Sequence, residues 1–349
     1  MKPDKMKIKK ILGTAAAAGV GILITIFSKE TSASVVNSIH VCVNAIIPSM
    51  FAFMAISSYI ISSGLYRYIS APFYFLLRGI IRLDRQSFSI FLLSLIGGYP
   101  TGVKLISEIT AQNKNYSAIA DKLSAICYCV SPPFAITMLG LGIFGSEEAG
   151  VIIYISNVLA CLTAAIVFTR FFPIDSDNYR QEEKSGGLIP AVNGTAASLI
   201  TLCAVIVAFN VLLTAFQCVA GLFSIEIPGG ILGLLEISNL LRIQNPTAAL
   251  LPFVSAASSF GGVCVLIQCS ALVKKQFNLK YFLAARLPCA ALSGFFASII
   301  MNFWEISVTA SPVSTSYSFV FSADKAVTLL LTVMCIIIFL KNEKIFKKV

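Results

Sequence analysis

From Val151 to Thr169 the chain carries no charged side chain. At about 1.5 Å of helix rise per residue, such a run is long enough to cross the hydrocarbon core of a bilayer. Runs of the same kind recur along the chain, so lipid is the solvent for much of the fold. In lipid, backbone groups must be satisfied within the segment, which points to helices. Composition agrees: 57% of the 349 residues are hydrophobic and 12% charged, against about 25% charged in soluble domains. The length leaves room for about seven to nine spans. The net charge of +10 is spread over short loops and both ends, which fits the positive-inside bias and anionic lipid. No dense basic face supports a nucleic-acid role.

The chemistry classes narrow quickly. The ten cysteines fall at irregular spacings inside apolar segments, without C-x-x-C, and read as small buried hydrophobes. His40 is the single histidine, and neither H-E-x-x-H nor G-x-S-x-G occurs. No metal site, cofactor or enzyme activity is expected. The absence of G-x-x-x-x-G-K-[ST] argues against direct use of ATP.

Five regions follow: an N-terminal transmembrane helix (1–30), a first membrane repeat (31–172), a polar linker (173–192), a second repeat (193–303), and a loop, last transmembrane helix and basic tail (304–349). Within the first repeat, a helix over Val36–Ile61 is interrupted at Pro48. The arginine-bearing Leu65–Ser87 segment reads as interfacial. Leu123–Phe144 is a span broken at Val130–Phe134, and Val151–Phe172 crosses. Spans are also expected at Ala196–Ala220, Tyr281–Met301 and Ala326–Leu340. Full spans then number seven, which would place the two basic ends on opposite sides. Ile227–Leu241 is therefore the favoured additional crossing, and the orientation of the halves stays open.

The stretch SLIGGYPTGVKLISEI, Ser94 to Ile109, places a glycine- and proline-rich break between two apolar pieces too short to cross. Irregular backbone survives at membrane depth only inside protein or beside a wet cavity, so this reads as a re-entrant hairpin. Shifting the chain by 160 positions sets Gly102 on Gly262, Val103 on Val263, Lys114 on Lys274, and Ile80–Leu83 on Leu240–Ile243. The order of features repeats more clearly than the identities do. The expected fold class is thus an all-α, polytopic membrane protein with two structural repeats, each containing a glycine/proline-broken re-entrant hairpin. Transporter folds place their site where such breaks meet.

The candidate solute-binding residues are Gly98, Tyr99, Pro100, Thr101, Gly102, Lys104, Glu108, Ser131, Glu236, Asn239, Ser259, Gly261, Gly262 and Gln268. Lys104 and Glu108 share a helix face. They read equally as a site for an anionic or polar group at a half-helix N-terminus and as a snorkelling ion pair. Glu236 lacks a basic neighbour within four residues and reads as a proton or cation site, or as a carboxylate facing water. Gln268 and Asn210 read first as interhelical hydrogen-bonders.

GGYPTGVKL, together with LLEISN and SFGGVCVLIQ, resembles the YlbJ-type sporulation integral membrane proteins, which carry the nucleoside-recognition or Gate domain. Gly98, Tyr99, Pro100, Gly102 and Lys104 carry the first motif, Glu236 an acidic position, and Gly261, Gly262 and Gln268 the second motif. The chain departs from that pattern at SPPF and at Leu266. The resemblance spans about residues 30 to 305 and implies a role in endospore and cortex formation, in a membrane around the forespore. The expected partners are a small polar solute, the lipid bilayer and further copies of the chain; the alternative is a non-transporting scaffold of the forespore envelope.

Overall fold

The computed structural model describes residues 5–112, 114–174, 187–243, 245–273 and 278–304. Most of the polar linker, Lys274, and the loop, last transmembrane helix and basic tail lie outside the described residues. The regular elements of the described chain are all helices. Four of its helices are long and apolar enough to cross a membrane, or five if one sharply bent pair counts as a span.

Helix α1 (Lys5–Ile26) meets α2 (Ser28–Val41) at Phe27, where the axis turns by 94°. From α2 the chain passes through a wide π turn, Cys42–Ile46, into α3 (Ile47–Ser62). Pro48 therefore falls in the first turn of α3, where its missing N–H costs little. The expected interruption is a local widening just before the proline. The arginine-bearing stretch forms two short helices, α4 (Tyr66–Ile69) and α5 (Ala71–Leu77), with Tyr68, Phe75 and Leu76 exposed.

Helices α6 (Arg85–Gly97) and α7 (Thr101–Gln112) flank the first break. Asp84 caps α6 by accepting from the Gln86 and Ser87 N–H groups. Beyond the far end of α7, the Tyr116 hydroxyl donates to Gln86 Oε1 at 2.9 Å and approaches Asp84 Oδ2 at 3.2 Å. Burial, with the Asp84 carboxylate alongside, pushes the Tyr116 phenol up and keeps it a donor. The start of α6 and the end of α7 thus lie side by side, and the two helices form a hairpin whose tip is Gly98–Pro100.

Helix α8 (Ala120–Ile126) ends in a non-helical strip, Cys127–Ser131, before a second π-type segment, Phe134–Phe144. The interruption begins at Cys127, ahead of the expected Val130–Phe134, and overlaps it at Val130 and Ser131, because Pro132 and Pro133 lead into the new helix rather than ending the old one. Helix α9 (Glu147–Phe171) crosses without a break. Gly140 and Gly150 bring it close to the π segment: a methyl on Gly140 would lie 2.6 Å from Gly150 Cα.

In the second half, α10 (Leu188–Leu222) is longer than the expected span. Helix α11 (Gly229–Leu235) stops at Glu236, and a 3₁₀ turn, Ile237–Arg242, folds back on it. Gly233 makes room for Leu240, whose side chain lies 2.2 Å from where a methyl would stand. Ile227–Leu241 is therefore not one crossing helix. Helices α12 (Leu251–Phe260) and α13 (Gly262–Val273) lie either side of the second glycine break. With Ala248–Leu250 they make up one candidate span, Ala248–Val273. Helix α14 (Leu279–Met301) crosses as expected and carries Pro288.

The main core packs α6–α9 against α12 and α14. A polar seam runs through it: Asn157 donates to Ser258 Oγ at 3.1 Å, and Ser255 and Ser293 share a hydrogen bond at 2.8 Å. A second apolar cluster seats Cys42, Ile46, Met50 and Met54 on Leu199, Leu202, Ile206 and Cys264.

Candidate functional site

The first break is built against backbone. Gly98 takes φ 72°, and a methyl there would stand 2.6 Å from Ser131 Cβ and 2.8 Å from Ser131 N. One on Gly102 would come within 2.4 Å of Cys127 O. The Tyr99 N–H donates to Cys129 O at 2.6 Å. The hairpin tip is thus tied along the non-helical strip Cys127–Ser131, and a side chain at Gly98 or Gly102 would push the two apart.

The second break is reached from the same strip. Tyr128 stacks on Tyr99 with ring centroids 4.6 Å apart, and its hydroxyl donates to Phe260 O at 3.2 Å. Gly261 and Gly262 take φ 82° and 84°. Gly261 lies beside the Tyr128 hydroxyl and Gly262 beside the carbonyls of Leu234 and Leu235. One aromatic bridge therefore joins the hairpin tip, the broken α8 segment and the break between α12 and α13. The expectation that the two glycine breaks lie together agrees with this geometry.

Where these elements converge, they leave a small cavity. Its wall includes Tyr99 and Pro100 from the tip, Ser131 from the strip, Glu236 and Ser238 from the fold-back, and Gln268 from α13. Ile46, Met50, Leu202 and Ile206 close the apolar side. The room open to the centre of a water molecule is about 40 Å³, which holds a few waters. A separate space of about 10 Å³ shares Gln268 and Leu202 in its wall with Ser198, Thr201, Val205 and Leu272.

Glu236 is 2% exposed and sits in extended conformation between α11 and the 3₁₀ turn. Its Oε2 accepts from Ser238 N at 3.1 Å, from the Ser238 hydroxyl, and from Asn239 Nδ2 at 3.3 Å. Asn239 also reaches Asn210 Oδ1 of α10 at 3.4 Å. Gln268 donates from Nε2 to Cys264 Sγ at 3.4 Å.

Other expected site residues stand apart. Lys104 pairs with Glu108 at 2.7 Å, and Ser58 of α3 donates to the same carboxylate. Glu108 abuts Gly194 of α10, and neither member of the pair lines the cavity. Thr101 bonds to Gly97 O at 3.0 Å, Ser259 to Cys289 Sγ at 3.3 Å. Both are internal contacts.

Arg286 went unnoticed in the sequence. It lies in α14 at 0% exposure, donates from Nη1 to Tyr128 O at 2.6 Å, and holds its guanidinium 5.1 Å from the Tyr128 ring. Its Nε and Nη2 have no partner. Such a cation fixes the carbonyl that follows the C-terminal end of α8, a favourable place for positive charge. The available signal was a charge in the middle of FLAARLPCAAL, costly in a crossing helix.

No family model matches the chain, and no solved structure matches it. Over 138 residues the chain is 20% identical to the sporulation integral membrane protein YlbJ of Bacillus subtilis (strain 168). That stretch is 40% of this chain and 34% of the relative, so the likeness spans about a third of the relative's length. The chain is a helical membrane protein with a distant likeness to a sporulation membrane protein.

Proposed function

We propose that the chain is a permease-like carrier, not an enzyme, that moves or senses a small polar solute needed for spore formation, in a membrane around the forespore. In this reading the α6–α7 hairpin is re-entrant, residues 31–172 and 193–303 are structural repeats, and the cavity between the breaks is the solute site. The observation that supports it is the convergence of four interrupted elements on one partly polar cavity, with Tyr99, Pro100, Ser131, Glu236 and Gln268 in its wall.

Metabolites of spores with and without the protein identify the solute, and uptake of that solute into proteoliposomes then tests the reading. Glu236→Ala is expected to abolish uptake at unchanged membrane level. Replacing Lys104 and Glu108 together, as Lys104→Met with Glu108→Gln, is expected to leave uptake standing, because the pair lies off the cavity wall. Lys104→Met alone leaves a partly buried carboxylate without its cation and is expected to lower the amount of folded protein. Uptake indifferent to Glu236 would end the carrier reading. The small volume of the cavity favours a second reading, a non-transporting scaffold. In that case changes in the Pro173–Gly187 segment would be the damaging ones.

A further inference from the structure

All three hydrogen bonds to the Glu236 carboxylate fall on Oε2, and each comes from a neutral donor. Oε1 is left without a protein partner on a residue that lines the cavity. Gln268 uses its Nε2 on Cys264, which leaves its carbonyl oxygen free at the same wall. Ser131 adds a hydroxyl there. The Tyr99 phenolic oxygen is sealed off from that space and takes no part. Among the described residues no cation pairs with Glu236. The basic side chain near it is Arg242, whose guanidinium reaches Gln217 Oε1 at 3.4 Å. The other titratable groups around it are Cys42, Tyr99 and Cys264, which are neutral when protonated.

We infer that Glu236 Oε1, with the neutral oxygens around it, binds one monovalent alkali cation. Hard oxygen donors select such ions over soft metals. Charge decides between valences: one carboxylate among neutral groups is balanced by a single positive charge, while a divalent ion would leave an uncompensated charge in a low-dielectric interior. Size agrees, since about 40 Å³ accommodates a largely dehydrated ion with a few waters. This inference rests on the carrier reading only for the use made of the ion; the site itself stands on the cavity.

The test uses the full chain purified in lipid nanodiscs, with radioactive sodium as the probe. Saturable binding of one ion per chain is expected, weakened by at least about a hundredfold in Glu236→Gln. A second measurement needs no variant: sodium is expected to slow modification of Glu236 by dicyclohexylcarbodiimide, located by mass spectrometry. Absence of saturable binding to the wild-type chain, binding that survives Glu236→Gln, or modification indifferent to sodium would each overturn the site. Sodium binding without solute uptake in proteoliposomes overturns the carrier reading and leaves the site intact. Uptake without sodium binding overturns the site and leaves the carrier reading.

Discussion

At Gly98 and again at Gly261 a helix stops on a glycine held at positive φ, 72° and 82°. At the first the chain reverses into a hairpin; at the second it runs on within a single candidate span. The flanks account for the difference. Helix α6 begins beside Asp84 and Arg85, and α7 carries Lys104 and Glu108, so the two together make a poor crossing segment. The pieces around Gly261 carry no charge between Leu250 and Val273. Each break is also held differently: Gly98 and Gly102 lie against the backbone of Cys127–Ser131, whereas Gly261 lies against the end of one side chain. A glycine pair in an apolar run therefore announces an interruption, and the charges beyond it decide its shape.

Gly98→Ala is the strongest way to break this comparison. The new methyl meets backbone atoms that no rotamer change can move, at a φ that L-residues resist. The expected loss is about 3 kcal/mol or more, enough to remove most folded protein from the membrane. A thiol-reactive dye reporting the buried cysteines during heating would follow it. An unchanged melting curve would mean that the hairpin tip is not pressed on the strip.

Gly261→Ala sharpens the contrast. Its methyl would stand 1.8 Å from the Tyr128 hydroxyl and 2.7 Å from Cζ, again at positive φ. The expected cost is about 2 kcal/mol, smaller than at Gly98. Adding Tyr128→Phe removes the closest atom and should return part of that loss, a positive interaction in a double-mutant cycle. The same Tyr128→Phe change should return nothing to Gly98→Ala. Equal rescue at both sites would mean that the two breaks are held alike.

The sequence made three apolar crossings legible because length and composition alone specify them: α9, α10 and α14 cover their expected spans, whereas Val36–Ile61 and Leu123–Phe144 do not form single crossing helices. It also located both glycine breaks. The interruption at Cys127–Ser131 meets the expected one only at Val130 and Ser131, because its cause is not local. Those residues leave the helix where the Tyr99 N–H takes up Cys129 O and where Gly98 and Gly102 leave room for them, while the conspicuous prolines next door begin a helix. Pro48 misled in the same direction. Of the expected site residues, Glu236, Gln268, Ser131, Tyr99 and Pro100 came together. Lys104 and Glu108 satisfied each other instead, an outcome their i, i+4 spacing allowed. Arg286 was missed because its partner, the Tyr128 carbonyl, lies 158 positions away.

Tyr128→Phe alone is the smallest and most specific test, because this side chain touches both breaks. Its ring stacks on Tyr99 at the hairpin tip, its hydroxyl bonds to Phe260 O beside Gly261, and its own carbonyl is held by Arg286. The substitution keeps the stack and the carbonyl and removes one hydrogen bond, at an expected cost of about 1 kcal/mol. The melting temperature should therefore shift by only a few degrees. Hydrogen exchange should nevertheless quicken around Phe260–Gly262, since the bond across the bridge is gone, and stay unchanged around Gly98–Thr101, where Tyr99 N–H still bonds to Cys129 O. Faster exchange on both sides would show that the hydroxyl couples the breaks. Faster exchange on neither would show that packing of the ring alone positions them.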